Sequence, residues 1–175
     1  MMKEEKACYI LSLFNYVSPA TNLSARLKGS AMRMRAVVRL PMNCISWNIG
    51  HLAWQEQRYW LTRLQGKMPL PHINELVGYG QSACTPPLAE MWEAWQTITQ
   101  LADPFLDTLT TKKLLSIHSL DDQQTDYTAG TLLQRVIYHY WYHTGENMAI
   151  RQMLGHTDLP EFVGNIDDEA PYRPE

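Results

Sequence analysis

Residues 131 to 155, TLLQRVIYHYWYHTGENMAIRQMLG, constrain the fold of this chain more than any other stretch. Thr131 followed by Gln134 matches a capping box, and Gly155 is a natural helix stop. The spacing predicts a helix of roughly 23 residues, about 35 Å long at 1.5 Å per residue. Within it His139 and His143 sit four apart, one above the other on a single helix face. That spacing lets two imidazoles converge on one ion, although H-x-x-x-H alone is a common chance pattern.

Three other segments carry apolar residues at helical period. Residues 3 to about 28 place Ile10, Leu13, Phe14, Val17, Leu23 and Leu27 at three-to-four spacing. Pro19 interrupts them, giving either one kinked helix or two, and Gly29 closes the segment. Asn43 is the expected cap of a helix reaching about Leu64, with Trp47, Trp54, Gln55 and Arg58 in line with His51. Thr85-Pro86-Pro87 opens a helix carrying Leu88, Met91, Trp92, Trp95, Ile98, Leu101 and Leu106, with a kink or new turn at Pro104. Between them, residues 65 to 85 are rich in Gly and Pro, with room for one short helix around Ile73 to Val77. A connection of that length is often a functional loop or lid. Leu109 to Gly130 reads as a polar loop without convincing β alternation. One domain over residues 1–175 is expected, an all-α four-helix bundle with long connections and a partly extended tail over 156–175.

Bundle sites are assembled from side chains on facing helices, so His51 can join His139 and His143 in one three-histidine site. Three neutral imidazoles suit zinc, nickel, iron or copper and leave a position open for water or substrate. Other chemistries find no support. Tyr140 occupies the glutamate slot of H-E-x-x-H, which removes the zincin reading. His143-x-x-Glu146 runs opposite to the di-iron motif and has no second copy. No motif supports a serine nucleophile or specifies haem. Glu56 and Glu146 lie near the expected ligands in sequence and are candidates to orient a ligand or handle a proton. Tyr140 and Tyr142 alternate with the histidines, so at most one faces them. His72, His118 and His156 read as surface residues, although the loop holding His72 has the length to fold over the site.

A net charge of −3 argues against nucleic-acid or polybasic membrane binding. The cluster Lys28, Arg33, Arg35 and Arg39 reads as a solvated face. Cys8, Cys44 and Cys84 are odd in number and widely spaced, which fits reduced thiols in a cytoplasmic protein. No apolar run approaches the roughly 20 residues a spanning helix needs, and ACYILSLF after Glu4 and Glu5 makes a poor signal peptide.

NCISWNIGHLAWQEQRYW resembles the second-helix signature of the DinB/YfiT-like superfamily, and IYHYWYHTGENMAIRQMLGH resembles its last-helix signature. INELVGYG, SACTPPLAEMWEAW, LADPFLDTL and LPEFVG also look like one branch of it, so the resemblance spans nearly the whole chain. It implies a four-helix bundle, commonly a homodimer, that binds a divalent metal, zinc or nickel here, through His51, His139 and His143. In the maleylpyruvate isomerase branch a glutamate replaces one last-helix ligand, whereas His139 stands at that position here. Characterised relatives include transferases and isomerases that use low-molecular-weight thiols. A metal-dependent enzyme that activates a thiol or water against a small-molecule substrate, for group transfer, isomerisation or hydrolysis, is therefore the leading expectation. The competing ones are a non-catalytic dimeric bundle, whose Trp and Met residues line a pocket or interface, and a vestigial site.

Overall fold

The computed structural model describes residues 42–117, 127–157 and 159. They form α1 (Ile45–Glu56), which runs on as a π-helical stretch (Gln57–Arg63), then α2 (His72–Val77), α3 (Leu88–Leu106), α4 (Thr111–Leu114) and α5 (Ala129–Met153). The β structure among the described residues is one isolated antiparallel bridge, Ile117 with Thr128. The protein is thus mostly helical, as expected. The helix expected over residues 3–28, the cluster from Lys28 to Arg39, His118 and most of the tail lie outside the described residues.

Three helix starts differ from the expected ones. The cap of α1 is Cys44 rather than Asn43: its sulfur accepts the Trp47 N–H at 3.4 Å. Asn43 is used otherwise, its backbone N–H bonding the Glu146 carboxylate. At α5 the cap is Thr128, not Thr131. Thr128 is held extended by its bridge to Ile117, and its hydroxyl accepts the Thr131 N–H at 3.2 Å. Ala129 and Gly130 therefore join the first turn, and the helix has 25 residues. At α3 no side chain caps the start, and Pro87 takes the cap position. Pro86 precedes another proline, which disfavours helical backbone there, so the helix begins at Leu88. It then continues through Pro104, whose missing N–H forfeits one bond near the helix end. Gly155 closes α5 as expected, in the left-handed conformation at φ 73°.

The core is layered between α1 and α3, the most extensive helix pair, with α2 and α5 against α1. Leu52, Trp60, Ile73, Val77 and Ile98 are fully buried. Each such apolar side chain contributes about 1.5–3 kcal/mol by leaving water. From α5, Leu132, Val136 and Tyr140 point into the same core at three-to-four spacing. Gln57, 1% exposed, fixes the loop after the π stretch: its amide nitrogen donates to the Leu70 carbonyl at 3.0 Å, and its amide oxygen accepts the Leu70 N–H at 2.7 Å. That clamp helps seat α2 on α1. No helix among the described residues is long and apolar enough to cross a membrane.

Candidate metal centre

α1 and α5 run antiparallel past each other. At one end Asn48 donates to the Asn147 side chain at 2.8 Å, and in the middle His51 lies against His139 and His143. One ligand atom from each of the three histidines lies within 4.8 Å of the other two. The cluster is nearly sealed, with His51 6% and His143 4% exposed, and His139 half-buried.

The hydrogen bonds set the tautomers. His51 Nδ1 is 2.6 Å from the Val77 carbonyl. A carbonyl only accepts, so Nδ1 carries the proton and Nε2 keeps its lone pair. That carbonyl is free because Val77 ends α2, where the last carbonyls of a helix lack intrahelical donors. His143 Nδ1 is 2.8 Å from Glu146 Oε2. Burial pushes the Glu146 carboxyl up. Hydrogen bonds from His143, the Asn43 backbone and Asn48, with the nearby imidazole, outweigh that and leave it below its ordinary value. An ionised Glu146 accepts, so the Nδ1 proton of His143 is also fixed and its Nε2 faces the cluster. His143 Nε2 lies 3.0 Å from His139 Nε2. Two nitrogens on one tetrahedral zinc, each about 2.0–2.1 Å from it, would sit roughly 3.4 Å apart, close to this separation. Without an ion, His139 Nε2 donates to that lone pair. Its buried Nδ1 then has no partner among the described residues.

Electrostatics keep the donors neutral. Burial, followed by the neighbouring His143, lowers His51 to about 4, against the raising effects of the Val77 carbonyl and Glu146. Burial, then His143 and His51, lower His139 to about 3. Near pH 7 both rings offer lone pairs rather than charges. His51 is also sandwiched between two indoles, stacked on Trp47 at 4.4 Å and on Trp54 at 4.9 Å. This fixes its ring plane and excludes water from its faces. Three imidazoles with two fixed tautomers are a donor set that fits a divalent transition metal.

A model of the DinB superfamily matches residues 22–146, a span that contains all three histidines and ends on Glu146. The chain belongs to the DinB superfamily. No curated protein and no solved structure matches it.

The remaining candidates of this DinB-superfamily protein separate clearly. Glu146 contacts the cluster through His143. Glu56 is fully buried and bonds the Tyr140 hydroxyl, which also accepts the Trp95 indole N–H at 2.6 Å. Tyr140 thus turns into the core, and burial, followed by the Glu56 charge, pushes its phenol well above the ordinary value. Tyr142 is exposed, with its ring edge-on to His143 at 5.1 Å. His72 is exposed at the head of α2, and His156 accepts from Arg151 beyond α5. Asn48 and Asn147 went unnoticed in the sequence although each stands on its histidine's helix face, at i−3 from His51 and i+4 from His143. The Val77 carbonyl carried no side-chain signal at all.

Proposed function

We propose that this protein is a divalent-metal-dependent enzyme whose ion is held by His51, His139 and His143. The observation that carries the reading is the convergence of the three ligand atoms within 4.8 Å, two of the rings being oriented from behind by Val77 and Glu146. A bound divalent ion, zinc or nickel, would supply Lewis acidity that lowers the pKa of a coordinated thiol or water. The residues do the rest. Val77 and Glu146 hold the Nδ1 protons of His51 and His143, so both Nε2 atoms stay aimed inward. Trp47 and Trp54 keep water off His51. For His139 to offer Nε2, its proton must sit on Nδ1.

Of the two glutamates, Glu146 acts in this reading as a positioning residue, while Glu56 serves the Tyr140–Trp95 network. Family membership supports extending the reading to a four-helix bundle, a homodimer and a low-molecular-weight thiol as co-substrate in a transfer or isomerisation. Elemental analysis of protein purified without chelator, alongside His51→Ala, His139→Ala and His143→Ala, tests the site. Near-stoichiometric metal in the parent and its loss in the variants are expected. A parent protein that binds no divalent ion with micromolar affinity or better would overturn the reading. Thiol-transfer assays with electrophilic small molecules then test catalysis.

A further inference from the structure

Beyond the histidines, the same α1–α5 seam continues to a group of arginines. Arg135 stands one turn before His139 and two before His143 on the same face of α5. Arg58 follows His51 by seven residues, in the π-helical stretch that continues α1, roughly 10 Å along the axis. Trp54 links them: it stacks on His51 at 4.9 Å, and the Arg58 guanidinium sits over its ring at 5.2 Å. Arg63 lies over Tyr59 at 5.1 Å, and Arg135 over Tyr127 at 4.2 Å. The Arg135 guanidinium also donates to the Tyr59 and Tyr127 hydroxyls.

Among the described residues the three guanidiniums are therefore held by aromatic faces and phenols. Among the described residues no carboxylate pairs with Arg58, Arg63 or Arg135. Burial first, then repulsion from Arg58 and Arg135, holds the Arg63 guanidinium below its ordinary value against the pull of Tyr59 and Tyr127. Tyr59 thus ties two of the guanidiniums together, its ring under Arg63 and its hydroxyl on Arg135, and guanidinium forks match carboxylate and phosphate geometry.

We propose that Arg58, Arg63 and Arg135 form an anion-binding subsite that takes the carboxylate or phosphate of a small-molecule substrate. Its position adds a length requirement, which rests on the metal-centre reading. The anionic group lies roughly 10 Å along the seam from the end of the substrate that reaches the histidines.

Isothermal titration calorimetry of the full chain at low salt, with inorganic phosphate and separately with glutarate, distinguishes the two anion sources. At least one is expected to bind with a Kd of about 1 mM or tighter. Arg135→Gln and Arg63→Gln are each expected to weaken it by about tenfold. Arg135→Gln also removes two bonds to tyrosines and can unfold the chain. Arg63→Gln removes only a ring contact and keeps the test decisive. Binding should survive stripping of metal with EDTA. A parent protein that takes up no divalent ion yet binds an anion would sink the metal reading and leave the subsite standing. Failure of both anions to bind, equal binding in the Arg63 variant, or binding that disappears with the metal would each overturn the subsite.

Discussion

Acidifying the metal-free protein should destabilise it in a pH window set by two histidines. His51 and His139 are lowered from 6.5 to about 4 and about 3, chiefly by burial. The unfolded chain therefore takes up their protons first as pH falls through 6.5, and the linkage relation makes stability fall with it. Each histidine contributes a slope of up to about 1.4 kcal/mol per pH unit, lasting to about pH 4 for His51 and about pH 3 for His139. Between pH 7.5 and 5 the two together remove about 4 kcal/mol, a large part of the 5–15 kcal/mol of an ordinary domain. Above about pH 7.5 their effect is flat. Glu146 has the opposite sign of shift, its carboxyl lying below 4.5 in the fold, so the stability it contributes is lost only as pH falls below 4.5. The window from 7.5 to 5 thus isolates the imidazoles. Guanidinium unfolding of EDTA-stripped protein, followed by tryptophan fluorescence at pH 7.5, 6.5, 5.5 and 5.0, measures the slope. The double variant His51→Gln/His139→Gln should lose most of it. A midpoint that does not move across the window, or the same slope in the variant, would refute the reasoning that buried neutral imidazoles set this dependence.

Other perturbations separate the site from the core. Glu146→Ala removes the acceptor of the His143 Nδ1 proton and should weaken metal affinity by about 10- to 100-fold, read by competition with a chromophoric chelator; unchanged affinity would remove Glu146 from the site. Tyr140→Phe deletes the acceptor of the Trp95 N–H and the donor to Glu56, at a cost of about 2–4 kcal/mol in denaturant unfolding. Metal content should not change, since that network faces away from the histidines. In Gly50→Ala the new methyl would meet Met91 Sδ and lie 3.3 Å from Val77 Cγ1. About 1–3 kcal/mol of destabilisation is expected from overpacking. Because the Val77 carbonyl orients His51, weaker metal binding should accompany it. Light scattering checks the proposed homodimer, and a monomer at high concentration would count against it.

Much of the site was legible because helical spacing is rigid. His139 and His143 are bound to share a face once their helix forms, and Trp47, Trp54 and Arg58 to line up with His51. Those neighbours proved to be the stack that fixes the ring plane. The caps were less legible because capping is decided by which donors and acceptors other elements have already taken. Asn43 has the better capping side chain, yet its backbone N–H goes to Glu146, and a cysteine sulfur one residue on does the work. Thr131 matches a capping box in sequence, but Thr128 is pinned extended by a bridge to Ile117 that no local pattern announces.

The same distinction explains why Glu56 and Glu146, alike in their nearness to a histidine in sequence, end in different places. Glu146 is three residues from His143, one turn along the same face, so its carboxylate reaches Nδ1 within the helix. Glu56 is five residues from His51, which rotates it about 140° around the axis and away from the cluster. It meets Tyr140, which is itself one residue, about 100°, round α5 from His139. Two helices that present histidines to each other along one seam therefore present this Glu–Tyr pair along the neighbouring one. The polar core contact and the metal donors are two readings of a single antiparallel register. A shift of α5 against α1 would disturb both, whereas Tyr140→Phe leaves the register in place and disturbs only one.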